Sequence, residues 1–275
     1  MAELTSLNLE EIISQMGQVG ERLANIGGAE GAAGNISICV RTPLDVSDLF
    51  PQMQWMDLPV TVPDLAGMML VVSGSGCRLR EIGDAPLANL ACVVVEPGGK
   101  MGRMFTSPQR HFKRVTSEFN SHLAIHADHM HSDETVLHTV LHGQPVHITY
   151  LSHLKEYLDE KYLNRHLLRW QPETILNMPE GIGVLPFLLP GSAQLVVETK
   201  LSMREHRIII WARHGLMARA ENSVIHALDI IEYAETAAHY EHLNLTGGGK
   251  VKVSAGSRSL RSASGGISSR ISFSA

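Results

Sequence analysis

Cysteine is scarce in this 275-residue chain: Cys39, Cys77 and Cys92 are odd in number and far apart, with no C-x-x-C pair. Nothing therefore suggests a disulfide framework, a metal ribbon or a dithiol redox couple, and three reduced, buried thiols are expected. Aromatic residues are also few, at 5%, while 44% hydrophobic and 19% charged residues make an ordinary globular balance that excludes wholesale disorder, collagen and coiled coil. Long hydrophobic runs are missing; none approaches the roughly 18 residues that cross a bilayer. The stretch Met1 to Glu11 has glutamates and no basic residue ahead of an apolar segment, unlike a signal peptide. A cytoplasmic protein with no membrane partner is expected. The net charge of −5 points away from nucleic acid as a partner.

Acidic residues are absent from 246 to 275, where five basic residues stand among nine serines and six glycines. A segment of that composition buries too little apolar surface to offset its ordering entropy. The boundary is drawn near Leu245, giving one domain over 1–245 and a flexible, Ser/Gly-rich basic tail over 246–275.

The body of the chain mixes both periods. Asn8 and Glu11 resemble a capping box, and Leu9, Ile12, Ile13, Met16, Val19 and Leu23 recur at helical spacing. After a glycine loop, Ile36, Ile38 and Val40 alternate as a strand. Thr42 to Pro63, with four prolines and no period, reads as a long surface excursion. Met69 to Val72, Ala91 to Val95 and Gly102 to Thr106 read as strands, the last two joined by the Pro97-Gly98-Gly99 turn. Ser117 to Met130 is helical in spacing, Thr135 to Leu151 mostly strand-like, and Arg207 to Trp211 a buried apolar run. Asn222 is placed as the cap of a final long helix with Leu228, Ile231, Ala234 and Ala238 inward. Strands mixed with helices, a hairpin among them, predict a layered α/β domain with a largely antiparallel sheet.

Histidine is the abundant residue: nine of 15 lie between His111 and His153. His122, His126 and His129 share one helical face, for which a solvated or subunit-contact surface is the default reading. His142 and His214 sit at the ends of apolar strands, where a satisfied core or turn histidine is the ordinary role. With a carboxylate nearby, the same pair would suit a divalent metal, because neutral imidazole is a good zinc ligand. Glu118 is a candidate for that carboxylate, although its charge also suits a helix N-terminus by itself. Gly34-Asn35, Ser73-Gly74-Ser75-Gly76 and Thr116-Ser117 offer small residues, free N–H groups and hydroxyls, the materials of a phosphate cradle. None matches a Walker or dinucleotide fingerprint.

Taken in order, Gly34-Asn35, Ser73 to Gly76, Val115 to Glu118, Glu180 to Pro186 with Pro190-Gly191, and Trp211 to Gly215 resemble the class II aldolases of the aldolase/adducin superfamily. The likeness runs from about Met16 to Leu243, and the glycine-rich 180s segment favours its rhamnulose-phosphate branch. The resemblance implies a three-layer α/β/α fold with a central, largely antiparallel sheet. It also implies a Zn2+-dependent, reversible aldol cleavage of a ketose 1-phosphate to dihydroxyacetone phosphate and an aldehyde. By the same resemblance Glu118 moves protons at the nucleophilic carbon and Glu173 is a second catalytic carboxylate beside the aldehyde half. Gly34, Asn35, Ser75, Gly76, Thr116 and Ser117 fall on the phosphate-gripping loops. The partner is a small sugar phosphate, and the family's active sites at subunit contacts imply a homotetramer.

One position departs from the family. Its strand carries His-x-His, both metal ligands, with a third histidine after a later strand; here His142 and His214 match, and Gln144 stands where the middle histidine belongs. Glutamine offers a weaker, neutral oxygen. His147 could compensate only if the chain bulges near Pro145, and a register starting at His138 puts Val140 in the second place. The departure keeps two other readings open: a sugar-phosphate isomerase or dehydratase with an altered metal site, and a non-catalytic assembly protein of the adducin kind.

Overall fold

Asn8 opens the first helix, α1 (Leu9–Asn25), its side-chain oxygen accepting the N–H of Glu10. Only half of the expected box forms, because the Glu11 carboxylate instead accepts from Gln15 one turn on. The computed structural model describes residues 8–249 and 251. Along these follow β1 (Asn35–Val40), β2 (Gln52–Asp57), β3 (Met69–Ser73), α2 (Pro86–Asn89), β4 (Leu90–Val95), β5 (Met101–Thr106) and α3 (Phe119–His129). Then come β6 (Leu137–Gly143), α4 (Val146–Leu151), α5 (Glu160–Leu167), α6 (Pro172–Asn177), β7 (Gly183–Leu185), α7 (Ala193–Glu205), β8 (Ile208–Trp211), β9 (Gly215–Glu221) and α8 (His226–Thr246).

The strands form one nine-stranded sheet in the order β2-β5-β4-β3-β1-β6-β9-β8-β7. All pairs are antiparallel except β7 with β8. Alternation along each strand divides the residues between two faces. Ile36, Ile38, Val40, Leu141, Leu216 and Ala218 join α1, α4 and α8 in the largest apolar cluster on one face. On the other, α3 and α7 pack over two separate clusters, one around Leu70, Val72 and Leu123 and one around Val140, Trp211 and Met217. This is the expected three-layer α/β/α arrangement. Cys39, Cys77 and Cys92 are free and buried.

Four expectations change. The excursion over 42–63 contains β2, a sheet edge whose side chains are nearly all exposed, so no alternation marked it; backbone pairing to β5 makes the strand. The strand-like run to Leu151 turns helical after Gly143. Its β-branched and aromatic residues favour extended chain, yet Pro145 begins a turn, and Glu235 of α8 accepts the N–H groups of His147 and Ile148. Asn222 caps no helix: in the left-handed region at φ 53°, it accepts the N–H of Val136 and Leu137 and pins the start of β6. Ser223 serves α8 instead, accepting from His226. Finally, His122 and His126 are fully buried against the sheet, because their side of α3 meets the polar residues of β1 rather than solvent. The proposed tail lies almost wholly outside the described residues; α8 ends at Thr246, one residue beyond the boundary drawn from composition.

Candidate active site

Three chain turns bring the chemistry to one place. After β3 the loop 73–77 is tied back by a bridge between Gly74 and Val115, which sets Ser75 and Gly76 beside Thr116 and Ser117. At the start of α3, Glu118 takes the cap position, its N–H bonded to Thr116 Oγ1 at 3.3 Å. Between β8 and β9 the chain reverses within Ala212 to His214: Arg213 has φ 64°, and Gly215 has φ 149°. A Cβ on Gly215 would stand 2.4 Å from the carbonyl oxygen of Gly143 and 2.9 Å from Gln144 Cγ, so only glycine lets this turn close onto the end of β6.

His142 and His214 thereby face each other, ring centroids 5.0 Å apart, with Trp211 packed beside both. The Glu118 carboxylate lies between them, Oε2 at 3.7 Å from His142 Nε2 and Oε1 at 3.3 Å from His214 Nε2. One ligand atom from each of the three lies within 4.8 Å of the other two. His142 Nδ1 is 2.8 Å from the Leu216 carbonyl. A carbonyl can only accept, so Nδ1 carries the proton and Nε2 presents its lone pair inward, the arrangement seen for metal-ligating imidazoles.

Burial favours the neutral acid at Glu118, but His142, the hydrogen bonds from His214 and Asn35, and the charge of His214 favour the carboxylate more. Its value falls to about 2. Burial pushes His142 below the usual imidazole range, with Glu118 opposing and losing, so the ring is neutral, the form that binds a cation. Two imidazoles and one carboxylate at this spacing fit a divalent metal of the zinc type.

Gly34, Asn35, Ser75, Gly76, Thr116, Ser117, Glu118, His142, Gln144 and His214 all line one cavity of about 180 Å3. The backbone N–H groups of Gly34, Gly76 and Ser117 make no hydrogen bond to other described residues, which suits them to an anion. Asn35 lines the cavity and does more: its Nδ2 donates to Glu118 at 2.8 Å and its Oδ1 accepts from His122 at 2.5 Å, so the amide also orients the carboxylate. Glu173 is exposed on α6 and does not line this cavity. His147 does not compensate for Gln144: it sits on α4 with Nδ1 2.7 Å from Glu235. His138 lies four residues back along β6, far from His214.

Sequence reasoning gave His122 a solvated or subunit-contact face and passed over Ser37. Burial pushes His122 down to about 3, and its Nδ1 lies 2.6 Å from Ser37 Oγ. The signal was there in two spacings: Glu118 and His122 are four apart on a helix, and Asn35 and Ser37 alternate with isoleucines in a strand.

Three comparisons relate this chain to known proteins. The family model described as "Class II Aldolase and Adducin N-terminal domain" matches residues 14–242. A protein of Listeria monocytogenes named rhamnulose-1-phosphate aldolase is 28% identical over 246 residues, 86% of each chain. The solved structure of a sugar-phosphate aldolase from Thermotoga maritima is 26% identical, with TM-score 0.74 over 87% of this chain and 97% of that one. An L-fuculose-1-phosphate aldolase structure from Thermus thermophilus, 16% identical with TM-score 0.58 over 88% and 98% of the two chains, shares the fold.

Proposed function

Because this chain belongs to the class II aldolase and adducin family, we propose that it catalyses the reversible aldol cleavage of a ketose 1-phosphate of the rhamnulose type. The products are dihydroxyacetone phosphate and an aldehyde such as lactaldehyde. The observation that carries this reading is the ionised Glu118 set between two facing imidazoles at the foot of a cavity rimmed by glycine and hydroxyl loops.

The substrate phosphate suits the N–H groups of Gly34, Gly76 and Ser117 and the hydroxyls of Ser75, Thr116 and Ser117. Zn2+ held by His142, His214 and Gln144 would supply Lewis acidity at the ketose oxygens. In the condensation direction Glu118 takes a proton from C3 of dihydroxyacetone phosphate, and the freed electron pair delocalises toward the C2 carbonyl. C3 then attacks the aldehyde carbon, whose oxygen takes up a proton. Cleavage is the reverse, with Glu118 returning the proton to C3. Asn35 holds the carboxylate in line for both. Glu173 can assist the aldehyde oxygen only from a neighbouring copy, which the expected homotetramer would bring.

Gln144 favours the second reading, an enzyme of this fold with an altered metal site. Release of dihydroxyacetone phosphate from a panel of ketose 1-phosphates, with zinc content measured on the same protein, separates the two. Stoichiometric zinc and cleavage are expected; a zinc-free protein that isomerises or dehydrates the same substrates would reverse the choice. Replacing Gln144→His should raise Zn2+ affinity roughly tenfold, about 1.4 kcal/mol, because an imidazole replaces an amide oxygen at the cavity wall. Competition against a chelator reads this directly, and unchanged or weaker binding would mean that Gln144 does not touch the ion.

A further inference from the structure

The opposite end of β6 carries a second cluster that the aldol chemistry does not use. His122, His126 and His129 follow Glu118 along α3, Asn35 and Ser37 share one face of β1, and His138 and His142 share the same face of β6. A buried polar seam therefore runs between helix and sheet, separating the two apolar clusters on that face.

Hydrogen bonding along this seam has a direction. The Glu118 carboxylate can only accept, so Asn35 turns Nδ2 toward it and Oδ1 toward His122. Oδ1 in turn can only accept, so His122 carries its proton on Nε2 and accepts from the Ser37 hydroxyl at Nδ1. With its one proton so placed, Ser37 Oγ accepts from His126 Nε2 at 2.7 Å. His126 Nδ1 then accepts from His138 Nδ1 at 2.8 Å. The chain ends on a bare lone pair at His138 Nε2. That nitrogen is buried, in a side chain with no exposed surface, and has no hydrogen-bond partner among the described residues. Such a group calls for a partner.

Two further donors lie beside it. Nε2 of His129 is likewise buried and unpartnered, and Glu221 faces His138 across the β6–β9 ladder. A ligand atom from each of His129, His138 and Glu221 lies within 4.8 Å of the other two. The two ring centroids are 5.3 Å apart and the rings are stacked with planes 16° from parallel; the spacing is close to the roughly 5 Å of imidazoles sharing a tetrahedral ion, and a turn of the partly exposed His129 ring would bring both in-plane lone pairs to it. Arg219 donates to Glu221 Oε1 and, through Nε, to the Met203 carbonyl, and that same carboxylate oxygen lies 3.8 Å from His129 Nδ1, so the guanidinium holds the carboxylate in place beside the two imidazoles.

We propose that His129, His138 and Glu221 form a second site for a divalent transition cation of the zinc type, separate from the cavity and about 13 Å from it along β6. Two neutral imidazoles and one carboxylate leave a fourth position for water. The partial exposure of His129 and Glu221, 13% and 38% of their side chains, opens a route from solvent.

The test is a Co2+ titration of the metal-stripped, untagged full chain, followed by visible absorption and by elemental analysis after dialysis. Two equivalents per chain are expected. His129→Ala and Glu221→Gln should each remove one, or weaken it at least tenfold, with the thermal melt recording an intact fold. Glu221→Gln keeps an acceptor for Arg219 and is the safer variant for folding. His214→Ala should remove the other equivalent and spare this one. A single wild-type equivalent that survives His214→Ala and is lost in Glu221→Gln would support this site while overturning the metal requirement proposed for the cavity. Stoichiometry and affinity unchanged in both His129→Ala and Glu221→Gln would overturn the proposal.

Discussion

Glu118→Gln is expected to lower carbon–carbon bond cleavage by about 10²- to 10⁴-fold, the usual contribution of a positioned general base, while the native fold is retained. Glutamine keeps the shape of the side chain and an oxygen for Asn35 Nδ2, now 2.8 Å from the carboxylate, but it cannot take a proton. The parent carboxyl, lowered to about 2, is ionised throughout the working pH range, so the lost group is a base ready to act. Steady-state release of dihydroxyacetone phosphate measures the change, and circular dichroism checks the fold. Activity within tenfold of the parent would remove Glu118 from the chemistry and with it the proposed reaction.

The second large effect is acid sensitivity. Burial holds His122 down to about 3 and His126 well below the normal imidazole range. Above about pH 6.5 both states leave these rings neutral and they contribute no pH dependence. Below it the unfolded chain binds protons that the folded chain refuses, so stability falls with decreasing pH, by about 1.4 kcal/mol per unit for His122 alone, with His126 acting in the same direction. His138, also held well below its usual range by burial, adds in the same sense. Glu118 works in a lower window: its stabilising contribution is intact above about 4.5 and is lost only as pH falls toward 2. Between pH 6.5 and 4.5 the imidazoles therefore dominate: His122 alone accounts for a loss of about 2 kcal/mol, a large share of the stability of a typical domain, and His126 and His138 add in the same direction. Urea unfolding midpoints across this range read it, and a flat profile would mean that the seam protonates without opening.

The two histidines that face each other across the cavity were legible as residues at the ends of apolar strands, because a polar side chain following Ile208 to Trp211 or closing Val140-Leu141 breaks a local pattern that one can read along the chain. Glu118 was legible as a helix-start carboxylate, and the glycine and hydroxyl loops as turns able to hold an anion. Their convergence was not. Glu118 and His214 are 96 positions apart, and only the β8–β9 reversal, with Arg213 and Gly215 in positive φ, sets their atoms 3.3 Å apart.

The histidines of α3 mark the same limit from the other side. Spacing put His122, His126 and His129 on one face, which was right, but a face has no environment until something packs on it. The packing partner is β1, whose Asn35 and Ser37 accept and donate where a solvated helix would meet water. Helix α4 was misread for a related reason: its Val, Ile, Thr and Tyr carry extended-chain preferences worth at most about 1 kcal/mol, and a carboxylate 87 residues away, Glu235, overrides them by capping its first turn.

What the order of residues determined by itself is what depends on near neighbours: helix and strand periods, the glycines where the chain must turn, and which side chains could do acid–base or metal chemistry. The tertiary structure alone decided which of fifteen imidazoles are neutral and buried, which carboxylate each answers to, and that Glu173 stands apart from the cavity. Those outcomes depend on dielectric and on distances of a few ångströms between groups remote in the chain, and neither quantity exists before the sheet and helices close on one another.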